Sequence, residues 1–194
     1  PLSAMLIERR GFESVYVSGA MLAAELGLPD VGLTTASEVA QRSGQIARVT
    51  ALPVVVDADT GFGGPVNVAR SVALLEDAGV AALHLEDQVS PKRCGHLGGK
   101  AVVERAEALQ RIRAAVGARR DPNLLVIARS DARAVEGLDA TLDRLRAYVD
   151  AGADAVFPEA LLGAGEFAAA RAAIDVPILV NMTEFGRGES LRVD

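Results

Sequence analysis

Asp77-Ala78-Gly79-Val80-Ala81-Ala82-Leu83-His84-Leu85-Glu86 is answered further along by Asp150-Ala151-Gly152-Ala153-Asp154-Ala155-Val156-Phe157-Pro158-Glu159. Each stretch reads as a helix end, a glycine stop, an apolar strand and then a glutamate. Repeated βα units whose strands finish in a polar residue are what a (β/α)8 barrel requires, because its chemistry sits at the C-terminal ends of the strands. A doubly wound sheet would give the same alternation. However, no Gly-x-Gly-x-x-Gly follows the first strand, which argues against a nucleotide-binding sheet.

Working outward from the echo, short apolar runs alternate with amphipathic ones. Val15–Gly19 reads as a strand and Val31–Thr35 as a second, after which Ser37 caps a helix running to about Val49. Pro53–Val56 is the continuous apolar strand of a parallel sheet buried on both faces. Pro65 suits a first helical turn, with Val68, Val72 and Leu75 at helical spacing before Gly79 stops it. Strands follow at Ala82–Leu85, Leu124–Ile127, Ala155–Phe157 and Pro177–Val180. Helices fall around Val102–Val116, through Leu138, Leu142, Leu145 and Val149, and near Glu166–Ala173. Seven β units is one short of a barrel, and a typical barrel needs about 250 residues. With 194 residues starting at Pro1, the chain is expected to be a single (β/α) barrel domain, 1–194, truncated at both ends.

Half the residues are hydrophobic, ample for one core. The net charge of −6 is spread without a basic face, so nucleic acid is not an expected partner. A single cysteine excludes an internal disulfide and fits a reducing, cytoplasmic setting. No apolar run approaches membrane-spanning length.

The cysteine lies in Lys92-Arg93-Cys94-Gly95-His96, where Lys92, Arg93 and a protonated His96 would favour thiolate over thiol. Gly95 permits a tight turn and a close ligand approach. A buried, inert Cys94 is the plainer reading, which the charged neighbours disfavour. The strand ends supply Asp57 and Asp59, Glu86 and Asp87, Arg129 and Asp131, Glu159, then Asn181 and Thr183. In an extended chain Asp57 and Asp59 face the same side, and with Glu86 they make a hard oxygen site suited to Mg²⁺ or Mn²⁺. Each acid alone reads as a helix cap. Arg129 serves either as a clamp on a substrate carboxylate or as an ion-pair partner of Asp131 or Glu159. His84, inside an apolar strand, reads as a satisfied core histidine. Asn181 and Thr183 offer neutral hydrogen bonds to a carboxylate, and the N–H groups of Ser18, Gly19 and Ala20 are a weaker cradle for one.

The Cys94 pentapeptide, Asp57-Ala58-Asp59-Thr60-Gly61-Phe62-Gly63 and Leu85-Glu86-Asp87-Gln88 resemble the isocitrate lyase / phosphoenolpyruvate mutase superfamily. Ala128-Arg129-Ser130-Asp131, Phe157-Pro158-Glu159-Ala160 and Asn181-Met182-Thr183-Glu184-Phe185-Gly186 look most like its 2-methylisocitrate lyase branch. Ser130 stands where that pattern often has Thr, and Ala20 where it often has Gly. The resemblance implies a (β/α)8 barrel, here lacking its eighth strand and C-terminal helices. It implies Mg²⁺ dependence, with Asp57, Asp59 and Glu86 in the metal shell, and a homotetramer that exchanges C-terminal helices. It puts Tyr16, Ser18, Gly19, Arg129, Glu159, Asn181 and Thr183 against a di- or tricarboxylate. The implied reaction is cleavage of 2-methylisocitrate to pyruvate and succinate in propionate catabolism. Cys94 is then the acid, tuned by His96 within the basic loop, and Tyr16 or Glu159 the base. Cleavage of isocitrate, decarboxylation of oxaloacetate and an inactive truncated scaffold are the alternatives.

Overall fold

The computed structural model of the chain describes residues 1–95 and 98–182, so His96 and Thr183 lie outside the described residues. Helix α1 (Leu2–Arg9) precedes strand β1 (Val15–Val17), and α2 (Gly19–Glu25) and α3 (Ala36–Ala47) follow it. Then come β2 (Val54–Asp57), α4 (Pro65–Asp77), β3 (Ala82–Glu86) and α5 (Arg105–Ala118). The remaining elements are β4 (Leu125–Ser130), α6 (Leu138–Asp150), β5 (Ala155–Pro158) and α7 (Ala164–Ala173).

The strands are parallel and stand in the order β1-β2-β3-β4-β5. Chain order and spatial order coincide, with none of the reversal that defines a doubly wound sheet. This is the arc of a (β/α) barrel. Both halves of the echo form as expected. Helices α4 and α6 end at Asp77 and Asp150, and Gly79 and Gly152 follow at φ 82° and 104°, a left-handed conformation that glycine adopts without strain. In α4, Pro65 opens the helix, and Val68, Val72 and Leu75 are buried at helical spacing.

The sheet has two unlike faces. Val15, Val17, Val54, Val56, Leu83, Leu85, Val126, Ala128 and Val156 belong to the main apolar core shared with the helices. The alternate positions Val55, Ala82, Ile127, Ala155 and Phe157 form a separate small cluster on the inner face. At the C-terminal ends of the strands that inner face turns polar, and there the ladder sets Asp57 beside His84, Glu86 beside Arg129, and Arg129 beside Phe157.

Two expected strands differ. Pro177–Val180 makes one parallel bridge, Ile178 to Val156, and takes the position after β5 without extending into a ladder. Val31–Thr35 forms no strand. Gly32 has φ 73° and packs on the Lys92 backbone, and the Thr34 hydroxyl donates to Asp59 at 3.3 Å. Thr35, rather than Ser37, caps α3: its hydroxyl accepts from the Glu38 N–H at 3.3 Å, and the Glu38 carboxylate accepts from the Thr35 N–H at 2.8 Å. The threonines that looked like β-formers are occupied as turn and cap residues. Thr35→Ala is expected to lower stability by about 1 kcal/mol in urea unfolding, the usual cost of losing a helix cap. Ser37→Ala is expected to leave it nearly unchanged.

Candidate active site

A cavity of about 410 Å³ opens at the C-terminal ends of the strands, lined by Tyr16, Ser18, Ala20, Asp57, Lys92, Cys94, Gly95, Arg129, Glu159 and Asn181 among others. The structure therefore brings together residues from β1, β2, β4, the end of β5 and the Cys94 loop.

Arg129 is at the centre. Its Nε lies 2.9 Å from Asp131 Oδ2 and 3.3 Å from Glu86 Oε2, while Nη2 is 3.3 Å from Glu159 Oε2. The guanidinium also sits 5.0 Å from the Phe157 ring centroid. Burial would lower its pKa, but Asp131, Glu86 and Glu159 outweigh that and hold it well above the ordinary value. The two readings of Arg129 thus merge: it is ion-paired and it faces the cavity. The echoed glutamates, Glu86 and Glu159, reach this one cation from opposite neighbouring strands.

Asp57 and Asp59 converge on Gly19. The Gly19 N–H donates to Asp57 Oδ2 at 3.3 Å, and a Cβ at Gly19 would lie 2.9 Å from that oxygen and 3.2 Å from Asp59 Oδ1. The Gly19 N–H is therefore engaged by the protein's own carboxylate, unlike the substrate cradle expected of it. The Ser18 hydroxyl caps α2 by accepting from Met21 N–H at 3.4 Å. Extended alternation does not explain the paired acids, because β2 stops at Asp57 and Asp59 has φ 45°. A turn aligns them, with the Asp59 N–H donating to Asp57 Oδ1 at 3.0 Å.

Lys92 completes this corner. Its ammonium pairs with Asp59 Oδ1 at 2.8 Å and with Asp30. Burial pulls its pKa down, yet Asp59 and Asp57 outweigh burial and keep it above the usual lysine value. Lys92 thus directs its charge to carboxylates, and Arg93 is exposed, so the two cations beside Cys94 in sequence have other surroundings in space.

A metal fits the donor chemistry of this corner in part. Among the described residues no three Asp, Glu, His or Cys side chains are grouped to bind one ion directly. Mg²⁺, however, is commonly held by one or two carboxylates with water completing the shell. Among the described residues none donates a hydrogen bond to the buried Glu86 Oε1, and Asp59 Oδ1 meets Lys92 by charge without hydrogen-bond alignment. Burial raises Glu86 well above the usual carboxylate range, with Arg129 opposing and Asp131 and Asp57 adding to it. Burial and Asp57 likewise raise Asp59. Burial is the larger cause of both shifts and neighbouring carboxylates add to it. Asp57 is held low because its cationic neighbours outweigh its burial, so the corner carries negative charge that a dication would balance.

Tyr16, His84 and Phe157 come from alternate strands and form one layer, as barrel interiors do. Tyr16 stacks on His84 at 5.7 Å between ring centroids, and His84 meets Phe157 edge-on at 5.3 Å. Tyr16 Oη and His84 Nε2 share a hydrogen bond of 2.7 Å. Burial drops the His84 pKa to about 4, so it is neutral near pH 7. Although 45% of Tyr16 is exposed, the enclosure of its phenol end and the Asp57 charge raise it above its ordinary value, which disfavours phenolate. Asn181 lies beside Glu159, its Nδ2 3.4 Å from Oε2.

Three further residues of this region have roles that the sequence does not show, Gln88 being read there only as the last residue of a family motif. Asp30 lines the cavity and holds Lys92. The buried Gln88 amide accepts from the Arg93 N–H at 3.0 Å and donates to the Arg93 carbonyl at 2.8 Å. Lys100 donates to the Gly95 carbonyl and to Asp131 Oδ1, the latter at 2.8 Å. All three act on partners in other elements or across the Cys94 loop, so local pattern does not show those roles.

Acidic strand ends, a thiol loop and a buried arginine around one cavity define a barrel enzyme type of site. The chain belongs to the phosphoenolpyruvate phosphomutase family, whose model matches residues 1–192. It is 61% identical over 191 residues to a probable 2-methylisocitrate lyase 2 of Corynebacterium glutamicum, a match covering 98% of this chain and 62% of that protein. The chain thus spans less than two thirds of this relative's length. It superposes with TM-score 0.95 and 40% identity on the crystal structure of 2,3-dimethylmalate lyase, a PEP mutase/isocitrate lyase superfamily member, covering 98% of this chain and 65% of that one. Against a phosphonopyruvate hydrolase complex with oxalate and Mg²⁺ the TM-score is 0.82 at 34% identity, covering 92% and 62% of the two chains.

Asp131 is held below the usual carboxylate range: burial opposes this, but Arg129 and Lys100 outweigh it. A carboxylate whose pKa is depressed on folding contributes stability above its unfolded pKa of about 3.8, and loses it as pH falls through the folded value. Asp131→Asn is expected to destabilise by about 3–5 kcal/mol at pH 7, as breaking a buried ion pair does. Urea unfolding at falling pH should show the gap to wild type narrowing below the unfolded pKa. A gap independent of pH would remove the ion pairs as its source.

Proposed function

We propose that the protein to which this chain belongs cleaves 2-methylisocitrate to pyruvate and succinate. The observation that carries this reading is the seat of the Cys94 loop. A Cβ at Gly95 would lie 2.5 Å from Arg129 Nη2 and 2.6 Å from Glu159 Cγ, so the backbone beside the thiol rests on a buried cation and a carboxylate. An acid, a cation and a base thereby share one cavity. The identity to a probable 2-methylisocitrate lyase supports the choice of substrate.

We assign to Glu159, which lines the cavity, the removal of the proton from the substrate hydroxyl. Tyr16, the other candidate, is held as the neutral phenol and serves better as a hydrogen-bond donor. As the proton leaves, the hydroxyl-bearing carbon becomes the pyruvate carbonyl and its bond to the neighbouring carbon breaks. The electron pair passes to that neighbour and spreads into its carboxylate, the nascent succinate. Arg129, buried and always charged, is oriented to balance the added negative charge. Cys94 then delivers its proton to the carbanion, and the proton on Glu159 returns to the sulfur through solvent. Mg²⁺, or Mn²⁺ in its place, held by Asp57 and Asp59 with Glu86 adjoining, would lower the pKa of the substrate hydroxyl and polarise the developing carbonyl. Ser18, Ala20 and Asn181 line the cavity where the remaining carboxylates would lie.

The reading extends to a homotetramer with exchanged C-terminal helices, working in the cytoplasm, and to this chain as one barrel domain of a longer polypeptide. Among the described residues no helix is long and apolar enough to cross a membrane.

Incubation of the full-length protein with Mg²⁺ and 2-methylisocitrate, isocitrate or oxaloacetate separates the candidate reactions. Pyruvate with succinate is expected. Glyoxylate with succinate, or CO₂ from oxaloacetate, would move the reading to another activity. Cys94→Ser preserves volume but not acidity, and kcat is expected to fall roughly 10²–10⁴-fold, as for loss of a general acid. A serine variant within a few-fold of wild type would sink the acid role. Asp59→Asn is expected to weaken Mg²⁺ binding in calorimetry together with turnover, and unchanged Mg²⁺ affinity would take Asp57 and Asp59 out of the metal site.

A further inference from the structure

The Cys94 loop leaves the sheet and returns through a short antiparallel contact, with Gln88 bridging Val102 and the Val89 N–H donating to the Ala101 carbonyl at 2.8 Å. Lys100 stands just inside that return, outside the pentapeptide around the cysteine. Its side chain is 2% exposed, an unusual position for lysine unless its charge is paired. Both of its contacts are directional. One reaches back across the loop to the Gly95 carbonyl, and the other reaches Asp131 Oδ1 just past β4.

Asp131 also receives Arg129 on both carboxylate oxygens, at 2.9 and 3.3 Å. A continuous chain of contacts therefore runs from the residue after the cysteine, through Lys100 and Asp131, to the guanidinium in the cavity. We propose that Lys100 is a positioning residue that fixes the Cys94–Gly95 backbone relative to Arg129, so that thiol and guanidinium face the same bound substrate. This rests on the lyase reading for its catalytic consequence, but not for its structural one.

Charge balance and sterics point the same way. Glu86, Asp131 and Glu159 surround Arg129, and Lys100 is the second cation on Asp131. Without it, Asp131 would draw harder on Arg129, turning it from the cavity. Gly95 has no spare space, since an added Cβ would overlap Arg129 and Glu159. A shift of the loop toward β4 is blocked by that contact and a shift away by Lys100. Gln88 grips the main chain of Arg93 on the other side of the cysteine, so Cys94 is held between two clamps.

The test uses the full-length protein and the variants Lys100→Met and Lys100→Arg. Cys94 is the single cysteine of the chain, and in the full-length protein its peptide is followed by mass spectrometry during iodoacetamide alkylation without substrate. Lys100→Met is expected to alkylate several-fold faster at Cys94 and to lose hydrogen-exchange protection at Arg93–Gly95. Its kcat on 2-methylisocitrate is expected to fall about 10²-fold, the cost of misplacing a reacting group by about an ångström, with KM changing less. Lys100→Arg keeps a cation within reach and should recover part of each effect. It also carries the test should the methionine variant not fold. Unchanged alkylation and exchange in a folded variant would overturn the proposal, whatever happens to kcat. Should wild type fail to cleave 2-methylisocitrate, the lyase reading falls, while alkylation and exchange still decide the role of Lys100.

Discussion

A permanently charged guanidinium removed from water is costly unless carboxylates surround it, and Arg129 is such a group. Its partners come from three places in the chain: Glu86 at the end of β3, Asp131 just past its own strand, and Glu159 just past β5. Three neighbouring strands must finish at one level for these contacts to exist. The parallel register provides this, setting Glu86 against Arg129 and Arg129 against Phe157. The Cys94 loop, through Gly95, is then seated on the cluster so formed. Fold and site are joined at this residue more than at any other.

Beneath the cluster, Asp87 ties the same strands from the outer side. It accepts from Ser130 Oγ at 2.7 Å, from the Asp131 N–H at 2.9 Å and from Tyr148 Oη at 2.8 Å. Burial raises its pKa, and those donors pull against burial. Glu86 and Asp87 are adjacent yet face opposite sides of the sheet, as alternation dictates. One acid pairs with Arg129 and the other anchors β4 and α6.

The parts of this architecture legible in the sequence are those that repeat or alternate. The echo around Gly79 and Gly152 predicted two helix stops, two strands and two strand-end glutamates, because a local glycine signal and local apolar runs determine them. Val31–Thr35 misled because β-branched residues serve equally well as turn and cap residues once a carboxylate is within reach, here Asp59 and Glu38. The acids, Arg129 and Cys94 were readable as chemistry, but not what each would touch. Lys92 looked like a tuner of the neighbouring thiol, and its ammonium instead bridges Asp30 and Asp59. Asp30 and Lys100 stayed hidden, and Gln88 was legible only as part of a motif and not by its contacts, since their partners are brought near only by the folded sheet and the returning loop.

The layer of Tyr16, His84 and Phe157 has an electrical consequence. The neutral His84 imidazole, fully buried beside Phe157, contains no mobile charge and forms a poorly polarisable floor under the charged cluster, while Tyr16 at its edge is 45% exposed. Field lines from Arg129, Asp57 and Glu159 that would be damped in solvent pass instead through poorly polarisable matter, and Coulomb interactions above the floor gain strength accordingly. The open side of the cavity is a direction in which the dielectric can change. Entry of a substrate there, with expulsion of water, would alter the potential at every charged group of the site at once.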